Sequence, residues 1–503
     1  MNRLIDLFDF SLKNHKNKVA ITNNSIIFTY QDIDVISKLI ATKINQIYDG
    51  STVSIYGDEK LEFLFSVLGT LRSGKIFCAI PKNNIWHPEE YINITNSSLI
   101  LTSKKGYEQI KSRKLNANYL IVEINQNKVL TMKYIHNNFV LTNNVFFTDE
   151  DILYVYFTSG TTDTPKAILG SDKGLCHFIN WQYKLVQNSN IVVAQMSSPW
   201  FDPYLREIFL PLCFGGTIAI PRKNDVVEIN RLVNWLNTCN VSILNIVPTI
   251  FRKLFLCRCE QIHLNSLKYI FFAGEMLFAN DIINFRNTCQ GNIKLYNLYG
   301  PSETTLAKFY YEITSVKAGE KIPVGVPLPN THYELDDNTN EVIIETEFAS
   351  HGYIIKDHKK ATGFSCSENG IVRFFTGDIG EVDNDGILYL KGRKNNVVKY
   401  RGEKVNLEAI EGMVCNFENI KQCIVCVIGE TEPFLVAAIV YKGKIFNDTE
   451  EHLLKSEIAL NFSSSLVPKH IIIFDTFPTN CNGKIDRLKI KKEICEILKI
   501  REL

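Results

Sequence analysis

The sequence predicts an α/β protein with a large N-terminal α/β unit and a small C-terminal α+β unit. One basis is alternation: apolar runs of four to eight residues follow longer segments of helical periodicity, as in "NRLVNWLNTCN" before "VSILNIVP" and "ANDIINFRNTC" before "IKLYNLYG". A second is a change of texture near residue 370, where "FFTGDIGEVDNDGILYLKGR" reads as short strands turned by Asp385-Gly386, a hairpin signal. A third is size: 503 residues, 45% of them hydrophobic, leave room for a large core and several structural units.

Taken in chain order, "ILYVYF" reads as a strand entering a polar loop, and "ELDDNTNEVIIET" as a polar turn leading into a strand. A new unit begins after "GRKNN", with a helix in "NLEAIEGMVCNF", strands in "CIVCVIG" and "FLVAAIVY", and a basic C-terminal helix. The boundary is set between 394 and 395, giving units of 1–394 and 395–503.

Charge and cysteine content narrow the function classes. Lys and Arg number 55 against 54 Asp and Glu, a formal charge of +1, so no basic stripe points to nucleic acid. No apolar run reaches the ~18 residues of a membrane span, and "MNRLIDLFDFSLKNHKNK" lacks the apolar centre of a signal peptide, so the expected location is cytoplasmic. The 13 cysteines show no disulfide spacing and are expected to be reduced. Cys423 and Cys426 form a CxxC pair inside an apolar strand-like run without a second pair or nearby histidines, which favours packing over metal binding.

The loop "YFTSGTTDTPKAILGS", Tyr156 to Ser171, clusters small hydroxyl residues around Gly160 ahead of Lys166. Hydroxyls and unobstructed backbone N–H groups suit phosphate oxygens. A Ser/Thr-rich surface turn has the same composition. The spacing is not that of a Walker loop, because no second glycine followed by Lys-Ser/Thr stands at the required distance.

Five stretches occur in order over most of the chain: "TSGTTDTPK", "NLYGPSETT", "TGDIGEVDNDGILYLKGR", "VVKYRGEKVNLEAIE" and "TNCNGKIDR". Together with "FTYQDIDVISKLIATKI" and "GTLRSGKIFCAIP", they resemble the adenylate-forming superfamily of acyl-CoA synthetases, luciferases and the adenylation domains of nonribosomal peptide synthetases. The resemblance implies ATP-dependent activation of a carboxylate to an acyl-adenylate, with Mg²⁺, followed by transfer to a thiol. By the same resemblance Thr158, Ser159, Gly160, Thr161 and Thr162 surround the β- and γ-phosphates beside Lys166, Ser302 meets the α-phosphate, and Glu303 binds the metal. Tyr299 stacks on adenine, while Asp378 and Arg393 hold the ribose. Lys484, in an Asn482-Gly483 turn, is the catalytic lysine carried in by a mobile C-terminal lid, with Asn395 at the hinge. Asp163 stands where the family loop usually has glycine, which adds a carboxylate beside the triphosphate. Asn395 likewise replaces the usual Asp or Lys.

Substrate class is read from "SSPWFDPYLREIFLPLCFGGT". It resembles the segment in which amino-acid-activating members use an aspartate, here Asp202, to pair with the α-ammonium. Asp202 before Pro203 is equally a helix N-cap, and both roles can coexist. The remaining pocket positions implied are Pro203, Arg206, Asn245, Phe271, Ala273, Leu298, Leu306 and Ala307. Arg206 and Asn245 hint at a polar or acidic substrate side chain; the competing account is a helix-surface arginine paired with Glu207 or another acid. The resulting expectation is a stand-alone amino-acid adenylating ligase, similar in size to D-alanine ligases that load a carrier protein. Its thiol acceptor is the phosphopantetheine arm of a separate carrier protein, or CoA. The alternatives are an acyl- or aryl-CoA synthetase and, given Asp163 and Asn395, a nucleotide-binding pseudoenzyme.

Overall fold

The computed structural model describes residues 3–499 apart from 24–25, 83–86, 114, 138–150, 159–165, 188–190, 256–260, 355–363, 368, 395–396, 401–402, 416, 418, 430–432, 444–445, 463 and 480–483. Two largely parallel sheets dominate. One runs, strand by strand, Val326–Pro327, Phe309–Glu312, Lys294–Tyr299, Tyr269–Ala273, Ile243–Ile246, Val192–Ala194, Thr217–Ile220, Val19–Asn23 and Ile26–Thr29. The other runs Tyr353–Ile354, Lys166–Ser171, Ile152–Thr158, Ile76–Ala79, Thr52–Tyr56, Leu99–Thr102, Asn118–Ile124 and Leu130–Ile135. In each the central pairs are parallel and the edges antiparallel, which matches the expected α/β class.

The largest core joins inward residues of both sheets, such as Val53 and Phe77 from one and Ile218 and Phe271 from the other, to helices packed between them. The helix Tyr30–Ile47 shows how local sequence sets this up. Thr29 and Asp32 close a capping box, with Asp32 N donating to Thr29 Oγ1 at 3.2 Å and Thr29 N to Asp32 Oδ2 at 2.8 Å. Ile33, Ile36, Ile40 and Ile44 then bury one helical stripe. The helix Pro203–Cys213 is different: every residue from Tyr204 to Cys213 is buried, because it lies within the core rather than on its surface.

A smaller antiparallel sheet holds the hairpin expected around Asp385-Gly386, with Val372–Val382 paired to Leu388–Arg393. Residues beyond 400 build their own three-stranded sheet, Ile420–Ile428, Phe434–Tyr441 and His470–Phe474. Cys423 joins the core on one of its faces and Cys426 the core on the other. The two thiols of the CxxC pair therefore point apart, as strand periodicity requires, and both are free. Phe278, between Tyr269–Ala273 and the helix Ala279–Thr288, packs its ring against the first of these C-terminal cores. Among the described residues no helix is long and apolar enough to cross a membrane.

Candidate active site

The chemistry-bearing residues gather at the carboxyl ends of the parallel strands, where Gly274 follows Tyr269–Ala273 and Gly300 follows Lys294–Tyr299. Open α/β sheets offer a crevice at this edge. At Gly300 a Cβ would stand 2.5 Å from Leu306 O, so only glycine lets the loop Pro301–Ala307 fold back on its own strand. Thr305 and Leu306 hold the turn in left-handed conformations, φ 62° and 59°.

Tyr299, Asp378 and Arg393 converge as the sequence implied. The Tyr299 hydroxyl donates to Asp378 Oδ2 at 2.7 Å, and Arg393 Nε lies 2.9 Å from Asp378 Oδ1. Burial raises the Asp378 carboxyl, while Arg393 and the Tyr299 hydrogen bond pull it down. Each carboxylate oxygen keeps a lone pair for a further donor. The arrangement therefore fits a diol, although Tyr299 contributes its hydroxyl to the cluster as well as its ring.

Thr158 ends the strand Ile152–Thr158 directly opposite Lys166. Ser159, Gly160, Thr161, Thr162 and Asp163, which form the connection, lie outside the described residues, as does Asn395. Lys166 sits over Tyr353, its Nζ 5.6 Å from the ring centre, and the Tyr353 hydroxyl donates to Glu303 Oε1. Tyr353 thus links two residues that the sequence named separately, and nothing in "HGYIIK" signals it. Among the described residues no group of three metal-binding side chains exists. A single carboxylate at Glu303 still suits Mg²⁺, which binds through one or two carboxylates together with substrate phosphates and water.

Asp202 occupies the N-cap position of Pro203–Cys213, yet its side chain makes no capping bond. It is turned to the site instead. Burial raises its carboxyl; Ser302, through a hydrogen bond, and the charges of Lys484 and Arg206 oppose that shift. Lys484, 282 positions away in sequence, lies with its Nζ 5.4 Å from the Phe201 ring centre. A Cβ on Gly274, which has φ +87°, would come within 3.3 Å of Lys484 Cε. Burial lowers the Lys484 ammonium, with Glu275 and Asp202 pulling it back up.

Beyond Asp202 the pocket positions separate into apolar and polar sets. Phe271, Leu298, Leu306 and Ala307 are buried in the large core, Ala273 is partly exposed, and Pro203 opens the helix. Arg206 is not a surface residue: it is 4% exposed, and burial lowers its guanidinium while the charges of Glu207 and Asp202 oppose that shift; Glu207 also accepts from Ser197 Oγ at 2.7 Å and Ser197 N at 2.9 Å. The surface account of Arg206 fails because this helix has no solvent face.

Sequence reasoning also missed Lys308. It is fully buried behind the Thr305–Leu306 turn, donates to Thr305 O at 2.9 Å, and is pushed down to about 7 by burial alone. Nearby His177 is lowered to about 4 by burial and by Lys308. Since the folded value of Lys308 is below that of the unfolded chain, the unfolded state holds more protons between about pH 7 and 10, and stability rises with pH across that window. Lys308→Met is therefore expected to gain stability relative to the unmodified protein at neutral pH, with the gain shrinking toward about pH 10. Denaturant midpoints for both proteins across the pH series check this; a gap that widens with pH contradicts it.

Comparisons with known proteins agree with this geometry. Residues 8–354 match a family described as AMP-binding enzyme. Gramicidin S synthase 2 of Brevibacillus brevis is 25% identical over 501 residues, covering 96% of this chain but only 11% of that protein. Bacitracin synthase 2 of Bacillus licheniformis is 24% identical, and the match spans 17% of its length. The D-alanine–D-alanyl carrier protein ligase of Staphylococcus aureus (strain Newman) is 29% identical over 356 residues, 69% of this chain and 72% of that enzyme. Among solved structures, a four-domain nonribosomal peptide synthetase bound to AMP and glycine superposes with a TM-score of 0.79 at 20% identity, covering 97% of this chain and 36% of the other. Klebsiella oxytoca NpsA, in complex with 3-hydroxyanthranilyl-AMSN, does so with 0.78 at 19%, covering 98% and 99%. The chain thus spans a small part of the multidomain synthetases it matches and shares their fold.

Proposed function

The chain belongs to the AMP-binding, adenylate-forming enzyme family, and from that premise we propose that it activates an amino acid with ATP and passes the aminoacyl group to a thiol. The supporting observation is the pairing of Asp202 and Lys484. A buried carboxylate and a half-buried ammonium act on one another through their charges, and Ser302 hydrogen-bonds the carboxylate. Asp202 holds the substrate α-ammonium, and Lys484 holds the carboxylate that attacks phosphorus. ATP, when bound, supplies the electrophilic α-phosphorus and the pyrophosphate leaving group.

The chain's own residues then divide the work. Asp378 and Arg393 fix the ribose, with Tyr299 against the base; Thr158, Lys166 and the loop 159–162 hold the phosphates; Glu303 carries Mg²⁺, oriented by Tyr353. Residues 1–394 form the large unit and 395–503 a lid that moves about Asn395, bringing Lys484 in for the first half-reaction. The acceptor is the phosphopantetheine thiol of a carrier protein in trans, in keeping with the carrier protein ligase among the relatives.

ATP–pyrophosphate exchange across proteinogenic amino acids, D-alanine, β-amino acids, and fatty and aryl acids tests this directly. Exchange supported by an amino acid is expected. A fatty or aryl acid as the best substrate makes the protein an acid–CoA ligase, and ATP binding without exchange makes it a pseudoenzyme.

A further inference from the structure

We propose that Glu408 is a positioning residue that couples nucleotide binding to the seating of Lys484. This deepens the proposed function and rests on its reading of Asp378 as the ribose ligand and of Lys484 as the lysine brought in by the lid.

The contacts run in an unbroken series. Arg393 Nε lies 2.9 Å from Asp378 Oδ1, at the end of the strand Leu388–Arg393. The Arg393 backbone N–H donates to Glu408 Oε2 at 3.1 Å. Glu408 stands in the helix Leu407–Val414, whose Leu407, Ile410 and Val414 share a core with Cys423 and Val425 of the C-terminal sheet. Its other oxygen, Oε1, lies 3.7 Å from the Arg487 guanidinium. Arg487 opens the last helix, Arg487–Ile497, three residues after Lys484. One carboxylate therefore touches both the Asp378 and Arg393 cluster and the segment that carries the lysine.

Arg487 is itself held in a fixed orientation. Its two terminal nitrogens donate to Glu411 Oε1 and Oε2 at 2.7 and 2.5 Å, and Glu411 Oε1 also accepts from Val425 N at 2.8 Å. Glu411 lies one turn beyond Glu408 on the same helix face. The start of the last helix is thus tied to Leu407–Val414, and Glu408 ties Leu407–Val414 to Arg393. Charge adds a second reason for a carboxylate here. Burial and, to a smaller extent, the Arg393 charge lower the Lys484 ammonium, while Glu408 acts on Arg393 with the opposite sign. A ribose held by Asp378 and Arg393 orders the strand end that presents the Arg393 N–H, so ATP strengthens the hold on Glu408, and by linkage the seated lid strengthens the hold on ATP.

The test compares Glu408→Ala and Glu408→Gln with the unmodified full chain. Glu451→Gln, which breaks an ion pair to Lys455 on the helix Asp448–Asn461, is the control for lost charge. Glu408→Ala should lower ATP–pyrophosphate exchange about tenfold, the worth of one charge-assisted hydrogen bond, and leave thioester formation from a supplied acyl-adenylate unchanged. Glu408→Gln keeps an acceptor for the Arg393 N–H and should lose less. Amide hydrogen exchange over residues 484–490 reads the coupling itself. Saturating ATP should slow it in the unmodified chain and in the control, and no longer in Glu408→Ala, although that variant keeps its ATP-induced thermal shift. Equal losses in both half-reactions, undiminished pyrophosphate exchange, or ATP protection that survives Glu408→Ala overturns the role of Glu408. Should the unmodified chain favour an acid without an amine, the amino-acid reading falls, and the same two rates measured with that acid decide on Glu408. Should it bind ATP without turnover, the hydrogen-exchange result decides.

Discussion

Replacing Lys484 by alanine is expected to lower acyl-adenylate formation by about 10²–10³-fold or more, while thioester formation from a supplied acyl-adenylate persists. The argument begins with position. Lys484 is brought from near residue 480 to lie against Gly274 and Phe201, beside Asp202, and its burial makes its charge costly to hold except against an anion. Charge that develops between carboxylate and phosphate during the first half-reaction is such an anion. Pyrophosphate exchange measures that step, and transfer from pre-formed acyl-adenylate to a thiol measures the second. Equal losses in both would refute the division of labour.

Asp202→Ala should reduce kcat/KM for the cognate amino acid by roughly two to four powers of ten, since removing one partner of a buried ion pair costs about 3–5 kcal/mol. The side chain is buried and makes no capping bond, so its loss leaves the start of the Pro203–Cys213 helix intact. The des-amino analogue of the substrate, a poor ligand for the unmodified site because it strands the aspartate, should suffer far less or improve. A fatty or aryl substrate whose turnover ignores the substitution would refute the ammonium assignment.

Much of this was legible in the sequence, for physical reasons that can be named. Strands followed from short apolar runs and helices from a period of 3.6, as in Ile243–Ile246 and Ile229–Thr238, and the Asp385-Gly386 turn followed from glycine's access to positive φ, here 78° at Gly386. The Tyr299, Asp378 and Arg393 cluster came from short motifs, and the structure joins them. Tertiary facts were not legible. Arg206 looked like a surface residue because an isolated helix has a solvent face, whereas this one is enclosed between two sheets. Nothing in the sequence marks Lys308, whose burial depends on the fold-back of Pro301–Ala307. Tyr353 reaches Glu303 only because its strand pairs with Lys166–Ser171 at the sheet edge.

Phe278 gives the seat of the C-terminal sheet a thermal signature. Its ring packs against the core built around Tyr400, Leu407 and Ile410, lies 4.7 Å from the Arg252 guanidinium, and would meet a Cβ on Gly412 at 3.8 Å. Four residues earlier, Gly274 receives Lys484. Any departure of the C-terminal sheet from this position uncovers aromatic surface to water, which carries a positive heat-capacity change and is opposed near room temperature chiefly by solvent entropy. Such association weakens on cooling. On the lid motion proposed above, cooling is expected to favour withdrawal of Lys484 and warming its seating, so the ratio of the two half-reaction rates should change with temperature beyond the intrinsic activation energy of either.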